Sequence, residues 1–338
     1  MSREEGARPS SPDRATAVPL SSPVPGAFAP RRIVIGANAH AELAQALRAT
    51  RPDLEIRGNK FTELTPADLA WGEAYVGFKR PPLPSMGNIR WVHCTGAGVD
   101  AWLYPTELPR EILLTRSSES FGPMIAEWAL ARALAYSQQL VDLAQCQRLH
   151  RWAPRDLTLL RGTKAVVVGT GDVGTSVGRL FNALGCKTYG VSRSGEADAS
   201  VFAAMAQVSA LKDMAAIADW LIVTLPLTAE TRGLVSRDVM SACRGAVLIN
   251  AGRGPVIDES AIPAALDNGW LKGAALDVFE VEPLPLESPL WLDTRVMISP
   301  HISGLTTVDG AAAGFLECLA AFEKGERTRW EVDRARQY

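Results

Sequence analysis

The run Val166-Val167-Val168-Gly169-Thr170-Gly171-Asp172-Val173-Gly174 constrains this chain more than any other. The valines read as a buried strand, and residues 173–184 read as a helix. A GxGxxG pattern therefore sits where a strand hands over to a helix. Gly169 permits the tight turn, Gly171 lets the backbone approach a diphosphate, and Gly174 lets helix and strand pack closely. Thr170, Asp172 and Val173 complete the loop, with the amides of Asp172 and Val173 facing the anion at the helix start. A plain glycine-rich turn is the competing reading. The strand before and the helix after favour dinucleotide binding.

The surroundings of this loop extend the argument. Strands are expected at 165–168, 187–191, 220–224, 246–250, 274–277 and 296–299, several of them continuous apolar runs. Such runs belong to parallel strands covered by helices on both faces. Helices are expected at 173–184, near Met214, at 237–242 and at 259–268. About six parallel strands with crossovers outline a doubly wound α/β domain. An earlier alternating series has strands at 33–35, 75–78, 89–94 and 112–115 and a helix at 42–49. Residues 120–148 read as one long helix, so apolar around Trp128 that more than one side must be covered. A last helix is expected at 308–323. Residues 1–30, with six prolines and scattered charges, read as a disordered tail without the apolar run of a secretory signal.

Composition excludes several classes of function. Lys and Arg total 35 against 37 Asp and Glu, a formal charge of −2. That balance supplies no field for nucleic acid or an anionic membrane surface. No apolar stretch is long enough to span a bilayer. The five cysteines are scattered, and neither they nor the four histidines fall at metal-ligand spacing, so no metal is expected. Reduced thiols point to a cytoplasmic protein.

Three stretches near strand ends hold the remaining unusual polar residues. Arg253 lies in Asn250-Ala251-Gly252-Arg253-Gly254, a tight loop at the carboxyl edge of the sheet, where open α/β folds bind ligands. Its guanidinium suits a carboxylate. His301 follows a strand and Pro300, and Glu282 ends the run Asp277-Val278-Phe279-Glu280-Val281-Glu282. A lone histidine there is more often structural. An acidic partner would orient the ring and keep a proton available near neutral pH, as a carbonyl reduced by hydride requires.

These motifs, with Thr95-Gly96-Ala97-Gly98-Val99-Asp100 and Thr224-Leu225-Pro226-Leu227-Thr228, resemble the D-isomer-specific 2-hydroxyacid dehydrogenase family in order and spacing. The resemblance covers nearly everything from Arg31 onward. It implies a Rossmann doubly wound cofactor domain, 120–301, inserted into a smaller flavodoxin-like α/β substrate domain, 31–119 plus 302–338. It implies that Arg253 binds the substrate carboxylate, His301 is the proton donor, and Glu282 orients His301. Gly96, Ala97, Gly98 and Val99 would bind substrate through backbone amides. Leu225, Pro226, Ala251 and Asp277 would contact the cofactor. A homodimer built on the cofactor domain is implied, with the helix around Trp128 suited to that role. No regulatory domain is expected after His301, and Glu282 disfavours formate dehydrogenases, which have glutamine there. The resemblance thus implies a glyoxylate or hydroxypyruvate reductase-like enzyme. A nicotinamide-sensing corepressor-like protein and a phosphite dehydrogenase-like enzyme share the Arg, Glu and His set and remain as alternatives.

The cofactor's 2′ position is legible separately. NAD-specific Rossmann domains place an acid at the end of the second strand. Here that strand runs into Ser192-Arg193-Ser194, with no carboxylate before Glu196. A 2′-phosphate would meet no repulsion, and Arg193 could pair with it. NADP is therefore expected as the preferred cofactor, with NAD possible.

Overall fold

Alternate residues along each central strand enter two different apolar cores. Val166 and Val168 pack on one side of their sheet, and Ala165 and Val167 on the other. The same division separates Ile33 and Ile35 from Val34 in a second sheet. Strands with no solvated face must be covered by helices on both sides, which a parallel sheet with crossovers supplies.

The computed structural model describes residues 28–117 and 121–338. The first lobe contains β1 (Arg32–Gly36), α1 (His40–Thr50), β2 (Glu55–Asn59), α2 (Pro66–Trp71), β3 (Ala74–Val76), β4 (Trp91–Cys94), α3 (Asp100–Leu103) and β5 (Leu113–Arg116). Then follow α4 (Phe121–Ser137), α5 (Leu140–Arg148), β6 (Lys164–Val168), α6 (Asp172–Ala183), β7 (Lys187–Ser192), β8 (Ala204–Gln207), α7 (Leu211–Ala216) and β9 (Trp220–Val223). The second lobe continues through α8 (Arg237–Ala242), β10 (Ala246–Asn250), α9 (Ile262–Asp267), β11 (Leu271–Leu276) and β12 (Val296–Ile298). The chain closes with α10 (Val308–Glu323), whose Ala311, Phe315, Leu319 and Phe322 pack into the first lobe's core.

Both sheets are parallel. The larger runs β12-β11-β10-β9-β6-β7-β8, the Rossmann order with one further strand. The smaller runs β2-β1-β3-β4-β5, the flavodoxin-like order. In the larger sheet the strand order reverses beside β6, so the crevice for a ligand opens at the loop after β6.

The structure departs from the sequence expectation in four places. The larger sheet has seven strands rather than about six, because Ala204–Gln207 adds an edge strand. The edge strand β2 was also unexpected, since its residues are mostly exposed and carry no apolar pattern. The expected long helix is two helices. Gln139 adopts a left-handed φ of 47° between them, and the Thr158 N–H donates to Ser137 O at 2.9 Å at the end of α4. Finally, residues 28–30 are not part of a tail. Phe28 donates to Phe322 O at 3.2 Å, and the Arg90 guanidinium stands 4.4 Å over its ring. The rest of the expected tail, 1–27, and the expected domain boundary at 119/120 lie outside the described residues.

Candidate active site

The phosphate loop forms as its glycines require. Gly169 has φ of +100°, a region L side chains rarely adopt. A Cβ at Gly174 would come within 1.8 Å of Gly169 O, so the start of α6 tolerates no side chain there. Gly171 differs: a Cβ would meet nothing within 4 Å. The protein leaves that space open at the N-terminus of a helix of 12 residues, in the setting that suits a diphosphate. A dinucleotide fits this cradle. Thr170 accepts from Thr175 Oγ1 at 3.1 Å, Asp172 opens α6, and Val173 packs against the core beneath. The Gly169 N–H donates to Val191 O at 2.8 Å, which ties the loop to the end of β7.

At that end Ser192 Oγ accepts the Gly195 N–H at 3.0 Å and lies 3.5 Å from Ser194 Oγ. Arg193 extends beyond the turn. Its Nη1 lies 3.4 Å from Glu230 Oε2, and its guanidinium stands 5.4 Å from the Tyr338 ring centroid. Leu225 packs against Gly169, and Ala251 is buried, its N–H donating to Val223 O at 3.0 Å. Pro226 O accepts from Thr231 Oγ1 at 2.7 Å, which shapes the loop after β9.

The Arg, Glu and His set sits at the carboxyl ends of β10, β11 and β12. Asn250, fully buried, fixes the Arg253 turn from both sides. Its Nδ2 donates to Arg253 O at 3.2 Å, and its Oδ1 accepts from Gly252 N at 3.1 Å. Glu282 Oε2 lies 2.8 Å from His301 Nδ1. Burial works to raise the Glu282 pKa. The hydrogen bonds with His301 and the Phe279 N–H, together with the His301 and Arg253 charges, outweigh burial and lower it. His301 has a positive φ of 55°, uncommon for a residue with a side chain and found at functional sites.

Asp277, expected beside the cofactor, is fully buried. Its Oδ1 accepts from Ser299 Oγ at 2.6 Å and Ile302 N at 2.9 Å, and its Oδ2 from Ser303 N at 2.8 Å. Its backbone O accepts the His301 N–H at 2.8 Å. These contacts make it the brace of the loop that carries His301.

The first lobe brings its expected loop to Arg253. A Cβ on Gly98 would lie 1.7 Å from Arg253 Nη2, so that glycine is required by the close approach. Gly96 is likewise pressed against the Phe78 ring, and Val99 is buried in the first lobe's core. Ala97 O accepts from Arg116 Nη1 at 3.0 Å.

Sequence reasoning missed three residues here. Asp100 Oδ1 accepts from Arg253 Nε at 2.9 Å, joining the lobes. Arg116, largely buried, holds the loop at Ala97. Tyr338 meets Arg193. Asp100 was visible only as part of the Thr95 to Asp100 motif, and nothing in the sequence marked the others.

A family model described as D-isomer specific 2-hydroxyacid dehydrogenase, NAD binding domain, matches residues 130–303. The glyoxylate/hydroxypyruvate reductase A of Salmonella paratyphi B is 31% identical over 306 residues, 87% of this chain and 95% of that protein. The chain belongs to the D-isomer-specific 2-hydroxyacid dehydrogenase family. It is an NAD(P)-dependent oxidoreductase of that family. Solved dehydrogenases of the family agree in fold. One from Xanthobacter autotrophicus Py2, in complex with NADPH and MES, is 31% identical with a TM-score of 0.83, covering 92% of this chain and all of that one. An NADPH-dependent glyoxylate/hydroxypyruvate reductase from Sinorhizobium meliloti, in complex with NADP and sulfate, is 28% identical with a TM-score of 0.81, covering 91% and 99%. Among the described residues, no helix is long and apolar enough to cross a membrane, and no three His, Cys, Asp or Glu are grouped to hold a metal ion.

Proposed function

We propose that this dehydrogenase reduces a small 2-oxo acid of the glyoxylate and hydroxypyruvate class to its D-2-hydroxy acid, with NADPH as the preferred donor. The observation that carries the reading is the 2.8 Å contact between Glu282 and His301, with Arg253 near enough for its charge to lower the Glu282 pKa. Arg253 binds the substrate carboxylate and polarises the 2-oxo group, helped by amides of the Gly96 to Val99 loop. Glu282 engages His301 Nδ1, which fixes the ring and leaves Nε2 to give its proton to the oxygen at C2. Bound NADPH supplies the hydride that C2 receives. In the reverse direction Nε2 takes the proton back.

The oxo acid binds in the cleft between the lobe of β1 to β5 with α10 and the lobe that binds the cofactor, and their approach excludes water. Ser192, Arg193 and Ser194 receive the 2′-phosphate. The five cysteines are buried and free, which suits the reducing cytoplasm. The chain acts as a homodimer. Trp128 is not the docking residue, since it is 7% exposed and its Nε1 donates to Ser299 Oγ at 3.2 Å within the chain. The apolar surface that supports a dimer lies on α5 and the segment after it.

The test is a panel of 2-oxo acids, with glyoxylate, hydroxypyruvate and larger homologues, assayed with NADPH and NADH, beside phosphite with the oxidised cofactors. Turnover is expected for the two smallest oxo acids. Tight cofactor binding without turnover of any of them would overturn the enzymatic reading in favour of a cofactor-sensing scaffold.

A further inference from the structure

The segment 333–338 starts in one lobe and ends against the other. Val332 N donates to Leu114 O at 2.9 Å, which lays the chain beside β5. Arg334, its side chain 14% exposed, then donates to Leu108 O and Ile112 O and anchors the segment in the first lobe. Asp333 turns the backbone: its Oδ1 accepts from Ala335 N at 2.9 Å and Arg336 N at 3.1 Å, and its O accepts from Gln337 N at 2.7 Å. The next two side chains meet the second lobe. Gln337 Oε1 accepts from Tyr104 Oη of the first lobe at 2.7 Å and from Ala229 N of the second at 3.0 Å. Tyr338 Oη accepts from Arg193 Nη2, with its ring beside the same guanidinium.

We propose that Gln337 and Tyr338 form an interlobe clasp that completes the 2′-phosphate site, so that NADPH selectivity depends on Tyr338 as well as on the Ser192 turn. The proposal rests on the NADP reading above. Arg193 alone is a long side chain, 47% exposed, at the end of an exposed turn. Ordering it for each binding event costs rotamer entropy, which a fixed neighbour removes in advance. Tyr338 supplies that neighbour through its hydroxyl and its ring. Because the Tyr338 oxygen accepts from Arg193, its own proton remains for a phosphate oxygen. Glu230, 73% exposed and 3.4 Å from Nη1, is the partner a phosphate would displace. Gln337 ties this arrangement to lobe position, since separating the lobes breaks its contact with either Tyr104 or Ala229.

The experiment measures kcat/KM for NADPH and NADH at fixed glyoxylate, and calorimetric binding of adenosine 2′,5′-bisphosphate and 5′-AMP. The proteins compared are the unmodified chain, Tyr338→Ala, Tyr338→Phe, Gln337→Ala, Arg193→Ala and the Arg193→Ala/Tyr338→Ala double variant. Tyr338→Ala should lower the NADPH to NADH ratio about tenfold or more and weaken the bisphosphate equally, with 5′-AMP unaffected. Tyr338→Phe should fall between, and Gln337→Ala should lower the ratio less. With Arg193 already removed, Tyr338→Ala should change little further. If the unmodified protein prefers NADPH and Tyr338→Ala keeps that preference, the clasp is wrong while the NADP reading stands. Equal weakening of the bisphosphate and 5′-AMP would make Tyr338 a packing residue for adenosine, which also overturns the clasp. An unmodified protein that prefers NADH sinks the NADP reading and the clasp with it.

Discussion

Asp100 and Arg253 join the two lobes by an ion pair, Oδ1 to Nε at 2.9 Å, with side chains 27% and 17% exposed. The pair leaves Arg253 little freedom. Nη1 donates to Gly252 O at 2.8 Å, and Gly98 presses against Nη2. An arginine supplied by one lobe is thus aimed by a carboxylate from the other. If Arg253 grips the oxo acid as proposed, that grip depends on the lobes being together.

Asp100→Ala should therefore raise KM for the oxo acid by about ten- to a hundredfold, the range of one charge-assisted hydrogen bond. Cofactor affinity should not change, because the phosphate loop is elsewhere. Asp100→Asn should recover part of the loss, since its amide oxygen can accept from Nε. Steady-state kinetics with a cofactor titration separates the effects. Unchanged KM in Asp100→Ala would show that the pair only packs the lobes.

His301→Ala should lower kcat by about 10² to 10⁴-fold with cofactor binding intact. Glu282→Gln tests the contact that orients the ring. Because the folded Glu282 pKa is lowered, the carboxylate stays ionised at mildly acid pH, and its support for a protonated His301 is lost only as pH falls through that lowered value. Removing the charge at neutral pH removes that support. Activity of the unmodified enzyme should fall as pH drops through the lowered Glu282 value, and Glu282→Gln, which has no carboxylate to protonate there, should lack that acid limb. An acid limb that survives unchanged in Glu282→Gln would refute the assigned pairing.

His93 provides a stability test away from the site. It is fully buried, with Nδ1 2.8 Å from Thr115 Oγ1 and Nε2 3.0 Å from Ser117 Oγ. Burial pushes its pKa down to about 3. The unfolded chain accepts a proton on this ring near pH 6.5, while the folded chain resists it. Stability from this group is thus complete above about pH 6.5 and is lost as pH falls toward the folded value. Between pH 7 and 5 the loss is about 2 kcal/mol, an order-of-magnitude figure for one proton. Urea unfolding at both pH values should show it, and His93→Gln should flatten the difference. An unchanged difference in that variant would assign the acid sensitivity to other groups.

Legibility followed burial. The β6 strand, its loop and α6 were readable because strands covered on both faces leave continuous apolar runs and the loop needs glycine. Arg253, Glu282 and His301 were readable as motifs at strand ends. The edge strands β2 and β8 were not, since an exposed strand needs no apolar pattern. The break between α4 and α5 falls on Gln138 and Gln139, with no proline or glycine to mark it. Asp100 and Tyr338 were hidden for another reason. Their partners lie 153 and 145 residues away, and only lobe packing brings them together.

The homodimer prediction rests on surface the chain does not cover itself. Leu140 and Val141 on α5 are about half exposed, followed by Leu149, Trp152, Leu157 and Leu159. Trp152 is 97% exposed and Leu159 71%, in an extended segment without regular structure. Isolated exposed apolar residues need no explanation, but this many along some twenty residues of one chain segment mark an association surface. By contrast α4, the helix expected to serve, packs on α6 and buries Ile125, Trp128, Ala129 and Ala133 within the chain. Trp152→Glu with Leu159→Glu should convert a dimer to a monomer, because each places a charge in an apolar contact that offers it no partner. Light scattering on a sizing column reads the mass directly. The double variant should keep its far-ultraviolet circular dichroism, since neither residue enters a core. A monomer in the unmodified protein at micromolar concentration would sink the prediction, as would a dimer that survives both charges.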